Sequence, residues 1–150
     1  MHETDLPAFG IKTRDNGGRT EVYDFLRQRY VRLTPEERVR QIFTHYLVDV
    51  KGYPAALLAN EVTLDVGGVA RRCDSVLYRR EGATPRVVVE YKAPAVPITQ
   101  RVFQQIYAYN SVLHADYLIV TNGRSHYCCR VDYKEGRVVF LEDIPHYSEL

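Results

Sequence analysis

Two spacings of apolar and polar positions divide this chain into elements. Alternation and short β-branched runs predict strands near residues 59–64, 71–78, 86–92, 117–121, 126–132 and 138–141. Steps of three and four, the spacing of one helical face, link Val39, Ile42, Phe43, Tyr46 and Leu47, and again Val102, Ile106, Tyr109 and Leu113. Thr34-Pro35-Glu36-Glu37 marks the start of the first helix: a capping Thr, a Pro in the first turn, and Glu37 three residues after the Thr as in a capping box. Thr99 is placed to cap the second helix, from Gln100 to about His114.

Turn signals separate the strands at Asp65-Val66-Gly67-Gly68, Asn122-Gly123 and Glu135-Gly136. Near the start, Phe9-Gly10-Ile11-Lys12 and Glu21-Val22-Tyr23-Asp24 flank Asp15-Asn16-Gly17-Gly18, which predicts an N-terminal β-hairpin over about residues 9–24. The remaining order is helix, three strands, helix, strand. A chain leaving the 86–92 strand must cross over through a helix to reach the 117–121 strand, so the pattern gives an α/β fold with a mixed β-sheet flanked by helices. One domain over residues 1–150 is expected, with a core at about 34–141.

Composition narrows the class. The 150 residues are 45% hydrophobic and 26% charged, as in ordinary globular proteins. No segment approaches the roughly 20 apolar residues of a membrane span, and Met1-His2-Glu3-Thr4-Asp5 lacks the features of a signal peptide, so a cytoplasmic protein without membrane contact is expected. Cys73, Cys128 and Cys129 have no paired metal-ligand spacing, and the adjacent two would face opposite sides of a strand. The five histidines form no close pair of the zinc-protease kind. Net charge is +1, so nucleic-acid binding would rest on local patches, such as Arg27, Arg29, Arg32, Arg38 and Arg40, or Arg71-Arg72 and Arg79-Arg80.

The strand ending Val87-Val88-Val89-Glu90-Tyr91-Lys92 carries the candidate chemistry. Alternation puts Val88, Glu90 and Lys92 on one face and Val87, Val89 and Tyr91 on the other. Charges on a buried strand are costly unless they have a partner or a task. Asp74 lies on the preceding strand, where suitable register would bring both carboxylates to one cation. Together with Lys92 they would form a divalent-metal site for phosphodiester hydrolysis. Spacing alone equally fits an ion pair of Glu90 with Lys92 and a turn-capping Asp74. Gln105 and Tyr109, four apart on the second helix, share a face beside its apolar stripe, and a core-facing glutamine needs polar partners.

Asp74, Glu90-x-Lys92 and Gln105-x-x-x-Tyr109 resemble the PD-(D/E)XK nuclease pattern found in the N-terminal nuclease domain of type I restriction enzyme R subunits. The similarity extends over Leu33-Thr34-Pro35-Glu36-Glu37-Arg38-Val39-Arg40-Gln41, Arg71-Arg72-Cys73-Asp74, Glu90-Tyr91-Lys92-Ala93-Pro94, Gln105-Ile106-Tyr107-Ala108-Tyr109-Asn110 and Tyr117-Leu118-Ile119-Val120-Thr121-Asn122-Gly123, as in small stand-alone bacterial proteins with that domain.

The resemblance implies a restriction-endonuclease-like fold and a metal-dependent endonuclease acting on DNA. Asp74 and Glu90 would hold Mg2+, or Mn2+ in its place, Lys92 would assist hydrolysis, and Gln105 with Tyr109 would support the site or contact DNA. Glu37 is a candidate for a first-helix glutamate that reaches the metal, alongside its reading as a helix cap. Arg40 would face phosphate or solvent. The chain carries no Gly-x-x-x-x-Gly-Lys-Ser/Thr loop and is too short for an ATP-driven translocase. A nuclease acting alone, as a homodimer, or with a separately encoded partner subunit is therefore expected. The alternative is a non-catalytic or partner-dependent nucleic-acid-binding module that keeps the fold.

Overall fold

Gly67 and Gly68 both take positive φ, 60° and 83°. Two such residues in succession form the tight hairpin turn that matches strand twist. In the computed structural model, which describes residues 2–3, 6 and 10–150, this turn joins β5 (Leu58–Val66) to β6 (Val69–Tyr78). The other elements are β1 (His2–Glu3), β2 (Thr13–Asn16), β3 (Arg19–Asp24), β4 (Arg29–Arg32), α1 (Pro35–Asp49), β7 (Pro85–Tyr91), α2 (Gln100–Leu113), β8 (Tyr117–Thr121), β9 (Ser125–Asp132) and β10 (Arg137–Leu141).

The main sheet has the order β1-β9-β8-β7-β6-β5, with β10 also paired to β9. β7 and β8 are parallel and joined through α2, as the crossover argument requires, whereas β5–β6, β6–β7 and β8–β9 are antiparallel. The fold is the expected α/β arrangement, a mixed sheet flanked by helices.

Each helix covers one face of the sheet. Val39, Phe43 and Leu47 of α1 pack with Val87, Val89, Tyr91 and Ile119, while Val102, Ile106 and Tyr109 of α2 pack with Val88, Leu118 and Val120. The alternation along β7 is thus realised side by side. Each fully buried apolar side chain of this size contributes about 1.5–3 kcal/mol, which fixes both helices against the sheet. The adjacent thiols also divide, Cys128 with the α1 layer and Cys129 with the α2 layer.

Several local details differ from expectation. The N-terminal hairpin is one part of a separate three-stranded sheet, β2-β3-β4. Its first strand begins at Thr13; Phe9, assigned to that strand from sequence, lies outside the described residues. Arg29-Tyr30-Val31-Arg32, which reads as a solvated basic run, forms β4 because its backbone pairs with β3 from Glu21↔Arg32 to Asp24↔Arg29. In α1 the apolar stripe is interrupted by buried Arg40, Gln41 and Thr44, and Ile42 is only half-buried. Thr34 caps α1, accepting a hydrogen bond from the Glu37 N–H at 3.0 Å. Thr99 is the N-cap of α2 by backbone position only, for its side chain makes no capping bond.

Candidate active site

The last paired residues of β6 and β7 near this end are Ser75↔Val89. One step further along each strand stand Asp74 and Glu90, both buried. The strands part there, and the carboxylate of Asp74 takes up the freed backbone: its Oδ2 accepts the Tyr91 N–H at 2.8 Å. Its Oδ1 faces the Arg40 guanidinium of α1 at 3.3 Å. β7 continues to Lys92, whose N–H donates to the Thr121 carbonyl at 2.9 Å and so holds Lys92 against β8.

Across from Glu90, α2 presents Gln105. Its Nε2 donates to Glu90 Oε1 at 3.1 Å and to the Tyr109 hydroxyl at 3.0 Å, and its Oε1 accepts from Lys92 Nζ at 3.3 Å. Lys92 Nζ also lies 3.5 Å from Glu90 Oε1. The five residues picked out from the sequence pattern, Asp74, Glu90, Lys92, Gln105 and Tyr109, thus converge on one end of the sheet. The other oxygen of Glu90, Oε2, is buried with no hydrogen-bond partner.

A buried carboxylate oxygen without a donor is expensive when ionised. Burial, then the neighbouring Asp74 carboxylate, pushes the Glu90 pKa up to about 8, against the pull of Lys92. Burial also raises Asp74, opposed by the Tyr91 N–H and by Arg40. Two carboxyl groups that resist ionisation side by side could serve as donors to a cation, because a bound cation favours the charged form of both. Among the described residues no three His, Cys, Asp or Glu side chains gather as metal ligands. Two carboxylates suit Mg2+, which binds through one or two and keeps several waters, better than an ion requiring a full protein cage.

Glu37 goes elsewhere. Its Oε1 accepts from Arg27 at 2.8 Å and from Arg40 at 3.0 Å, and its Oε2 accepts from Gln41 at 3.3 Å. It contacts the site only through Arg40. The first-helix glutamate whose charge is felt at the pocket is Glu36. Burial, then Asp74, raises its pKa, with Lys92 and Arg40 opposing. The sequence carried a signal for this: Glu36 and Arg40 are four apart and share a helix face.

Arg40 is the second residue whose place the sequence left open. Far from facing solvent, it is buried and touches Glu37, Asp74 and, at 2.6 Å, Glu61. Burial works against its charge, yet these three carboxylates hold its pKa above the ordinary arginine value. Glu61 reaches Arg40 from β5 with a left-handed backbone, φ 61°, and also pairs with Arg72 at 3.1 Å. No periodicity signals a left-handed glutamate in mid-strand.

Beyond Gln105 and Tyr109 opens a pocket of about 290 Å³ that also includes Val66, Arg71 and Ala108. A larger cavity of about 670 Å³, lined by Phe103, Tyr107, Tyr127 and Phe140 among others, contains none of the candidate site residues. Its lining is mainly apolar.

Comparison with known proteins agrees with this fold. The model of the type I restriction enzyme R protein N terminus (HSDR_N) matches residues 35–145. Among solved structures, a fragment described as an HsdR subunit of a type I restriction enzyme from Vibrio vulnificus YJ016 superposes with a TM-score of 0.59 at 24% sequence identity. The match covers 79% of this chain and 24% of that one, so the chain spans about a quarter of that structure's length. No curated protein matches. No helix among the described residues is long and apolar enough to cross a membrane.

Proposed function

The chain belongs to the family of type I restriction enzyme R protein N termini, and from that membership and the pocket geometry we propose that it is a Mg2+-dependent endonuclease domain acting on DNA. The observation that carries the reading is the buried, unpartnered Oε2 of Glu90 beside Asp74. An orphaned carboxylate oxygen at a strand end is a liability to stability unless a ligand completes it.

Asp74 and Glu90 would hold the metal, which when bound supplies a Lewis acid for the phosphoryl oxygens and lowers the pKa of water. The protein's own residues do the rest. Gln105 binds Oε1 of Glu90, which leaves Oε2 as the oxygen without a donor. Hydrolysis adds water across a P–O bond and gathers negative charge on the phosphoryl oxygens. Lys92, held by Glu90 and Gln105, places an ammonium where that charge develops. The Tyr109 hydroxyl accepts from Gln105 Nε2 and keeps the amide from rotating. One copy carries one such pocket, so cutting both strands takes a second copy or a second encounter.

The test is cleavage of supercoiled and linear DNA in Mg2+ or Mn2+ by wild type, Asp74→Ala and Glu90→Ala, with circular dichroism on each. Cleavage by wild type alone, with both variants folded, is the expected result. Equal cleavage by all three would remove the site assignment.

One observation favours a second reading. Both Asp74 oxygens already have donors, Arg40 and the Tyr91 N–H, without any metal. A non-catalytic or partner-dependent DNA-binding module would leave them so, and it predicts metal-independent binding with no cleavage by any form.

A further inference from the structure

The β2-β3-β4 sheet lies outside the residues matched by the family model. Its register sorts its side chains into two faces. Thr13↔Val22 and Val22↔Val31 place one set together, and Val22 and Asp24 on that face are fully buried. The other face is built in rows: Lys12 beside Tyr23 and Tyr30, then Arg14, Glu21 and Arg32, then Asn16 and Arg19. Four cations thus stand against one carboxylate, in a chain whose net charge is only +1.

That carboxylate is already committed. Glu21 accepts from Arg14 at 2.9 Å and Asn16 at 3.3 Å. Arg14 is at the same time laid over the Tyr30 ring at 3.9 Å, and Lys12 lies 5.6 Å from the centre of the Tyr23 ring. Stacking of this kind pre-orients a guanidinium and reduces the entropy lost on binding. Arg19 and Arg32 are exposed, enter no ion pair among the described residues, and flank a polar cleft of about 440 Å³ with Gly18, Thr20 and Leu33. Unpaired arginines over a polar concavity are complementary to phosphate.

The sheet is also fixed to the candidate active site. Asp24, at the end of β3, bonds Arg27 and accepts from Asn60 of β5 at 3.1 Å. Arg27 reaches Glu37, Glu37 reaches Arg40, and Arg40 reaches Asp74. This polar chain ties the three strands to the edge of the pocket.

We propose that the outer face of the β2-β3-β4 sheet, through Lys12, Arg14, Arg19 and Arg32, binds the phosphate backbone of duplex DNA beside the Asp74 and Glu90 pocket. The choice of duplex DNA rests on the nuclease reading above. Binding is nonetheless measurable without divalent metal, so failure of the surface and failure of the catalyst give different results.

The experiment is fluorescence anisotropy of a labelled DNA duplex in EDTA across a salt series. It uses wild type, Arg19→Glu/Arg32→Glu, and Arg130→Glu/Arg137→Glu on exposed positions of β9 and β10 as an equal charge change elsewhere. The first pair should weaken binding at least tenfold and reduce the slope of log Kd against log salt by about two, one per lost phosphate contact. The β9–β10 pair should weaken it far less. Arg19→Gln/Arg32→Gln, which adds no negative charge, should show a smaller loss in the same direction, and guards against unfolding by charge reversal. No binding by wild type, no loss in either Arg19 and Arg32 pair, or an equal loss in the β9–β10 pair would overturn the proposal. Binding through this face by a protein that does not cleave would uphold it and sink the nuclease reading.

Discussion

Gln105 Nε2 lies 3.1 Å from Glu90 Oε1, and this bond commits one oxygen of the carboxylate to α2 while the other, Oε2, is buried with no hydrogen-bond partner. The same amide accepts from Lys92 on its other side. Gln105→Leu keeps the volume but loses both contacts. Single-turnover DNA cleavage in Mg2+ should fall about 10- to 100-fold, as for other residues that orient a metal ligand. Calorimetric titration with Mg2+ should still detect binding, since Asp74 and Glu90 remain.

Glu90 makes stability pH-dependent in the metal-free protein. Its carboxyl has an ordinary value of 4.5 and is raised to about 8 in the fold. Between those values the folded state holds a proton that the unfolded state has lost, so stability falls as pH rises through the window and levels off above it. The penalty is on the order of a few kcal/mol. Urea unfolding in EDTA from pH 5 to 9 should show this decline in wild type and a shallower one in Glu90→Gln, where the raised Asp74 still contributes. A slope unchanged by the substitution would contradict the assignment.

Arg40 pairs with Glu37, Glu61 and Asp74 together. Its removal leaves the buried Asp74 and the half-buried Glu37 and Glu61 without their shared cation. Arg40→Ala should cost about 3–5 kcal/mol by chemical denaturation at neutral pH, the usual result of breaking a buried ion pair from one side. Part of the loss should be recovered at acidic pH, as the stranded carboxylates take up protons.

Glu36 and Glu37 are adjacent and chemically identical, yet their surroundings separate them. Glu36→Gln removes a charge felt by Asp74 and Glu90 and should slow cleavage about tenfold, with little change in the unfolding midpoint because the residue keeps an exposed, only partly desolvated side chain. Glu37→Gln leaves Arg27 and Arg40 less well paired and should lower stability by about 1–3 kcal/mol. Parallel measurement of cleavage rate and urea midpoint on both variants checks the division. Reversed effects would return Glu37 to the pocket.

Much of the fold was legible in local pattern. The period-two alternation on β7 settled that Val87, Val89 and Tyr91 would pack apart from Val88 and Glu90, because successive side chains on a strand have no choice of face. The stripes on α1 and α2 and the paired glycines of the β5–β6 turn depend likewise on neighbours a few residues away. Gln105 with Tyr109 could be set beside Glu90 because a spacing of four fixes their common face.

Tertiary structure decided what local periods leave open. Adjacent helical residues point about 100° apart. Which of Glu36 and Glu37 is taken up by Arg27 and Arg40 was therefore set by the rotation of α1, locked where Val39, Phe43 and Leu47 pack on the sheet. Arg40 looked like one member of a surface arginine run until β5 and β6 brought Glu61 and Asp74 to it, at separations of 21 and 34 residues along the chain. β4 exists because β3 supplies the partner for its backbone, a cause its own four residues do not contain. The sequence by itself determined the two helices and the strands β5 to β10, their apolar faces and the residue types of the candidate site. The charge network, the free Glu90 oxygen and the Arg-bearing sheet face came only from long-range packing, because electrostatic partnership depends on distance in space and leaves no period along the chain.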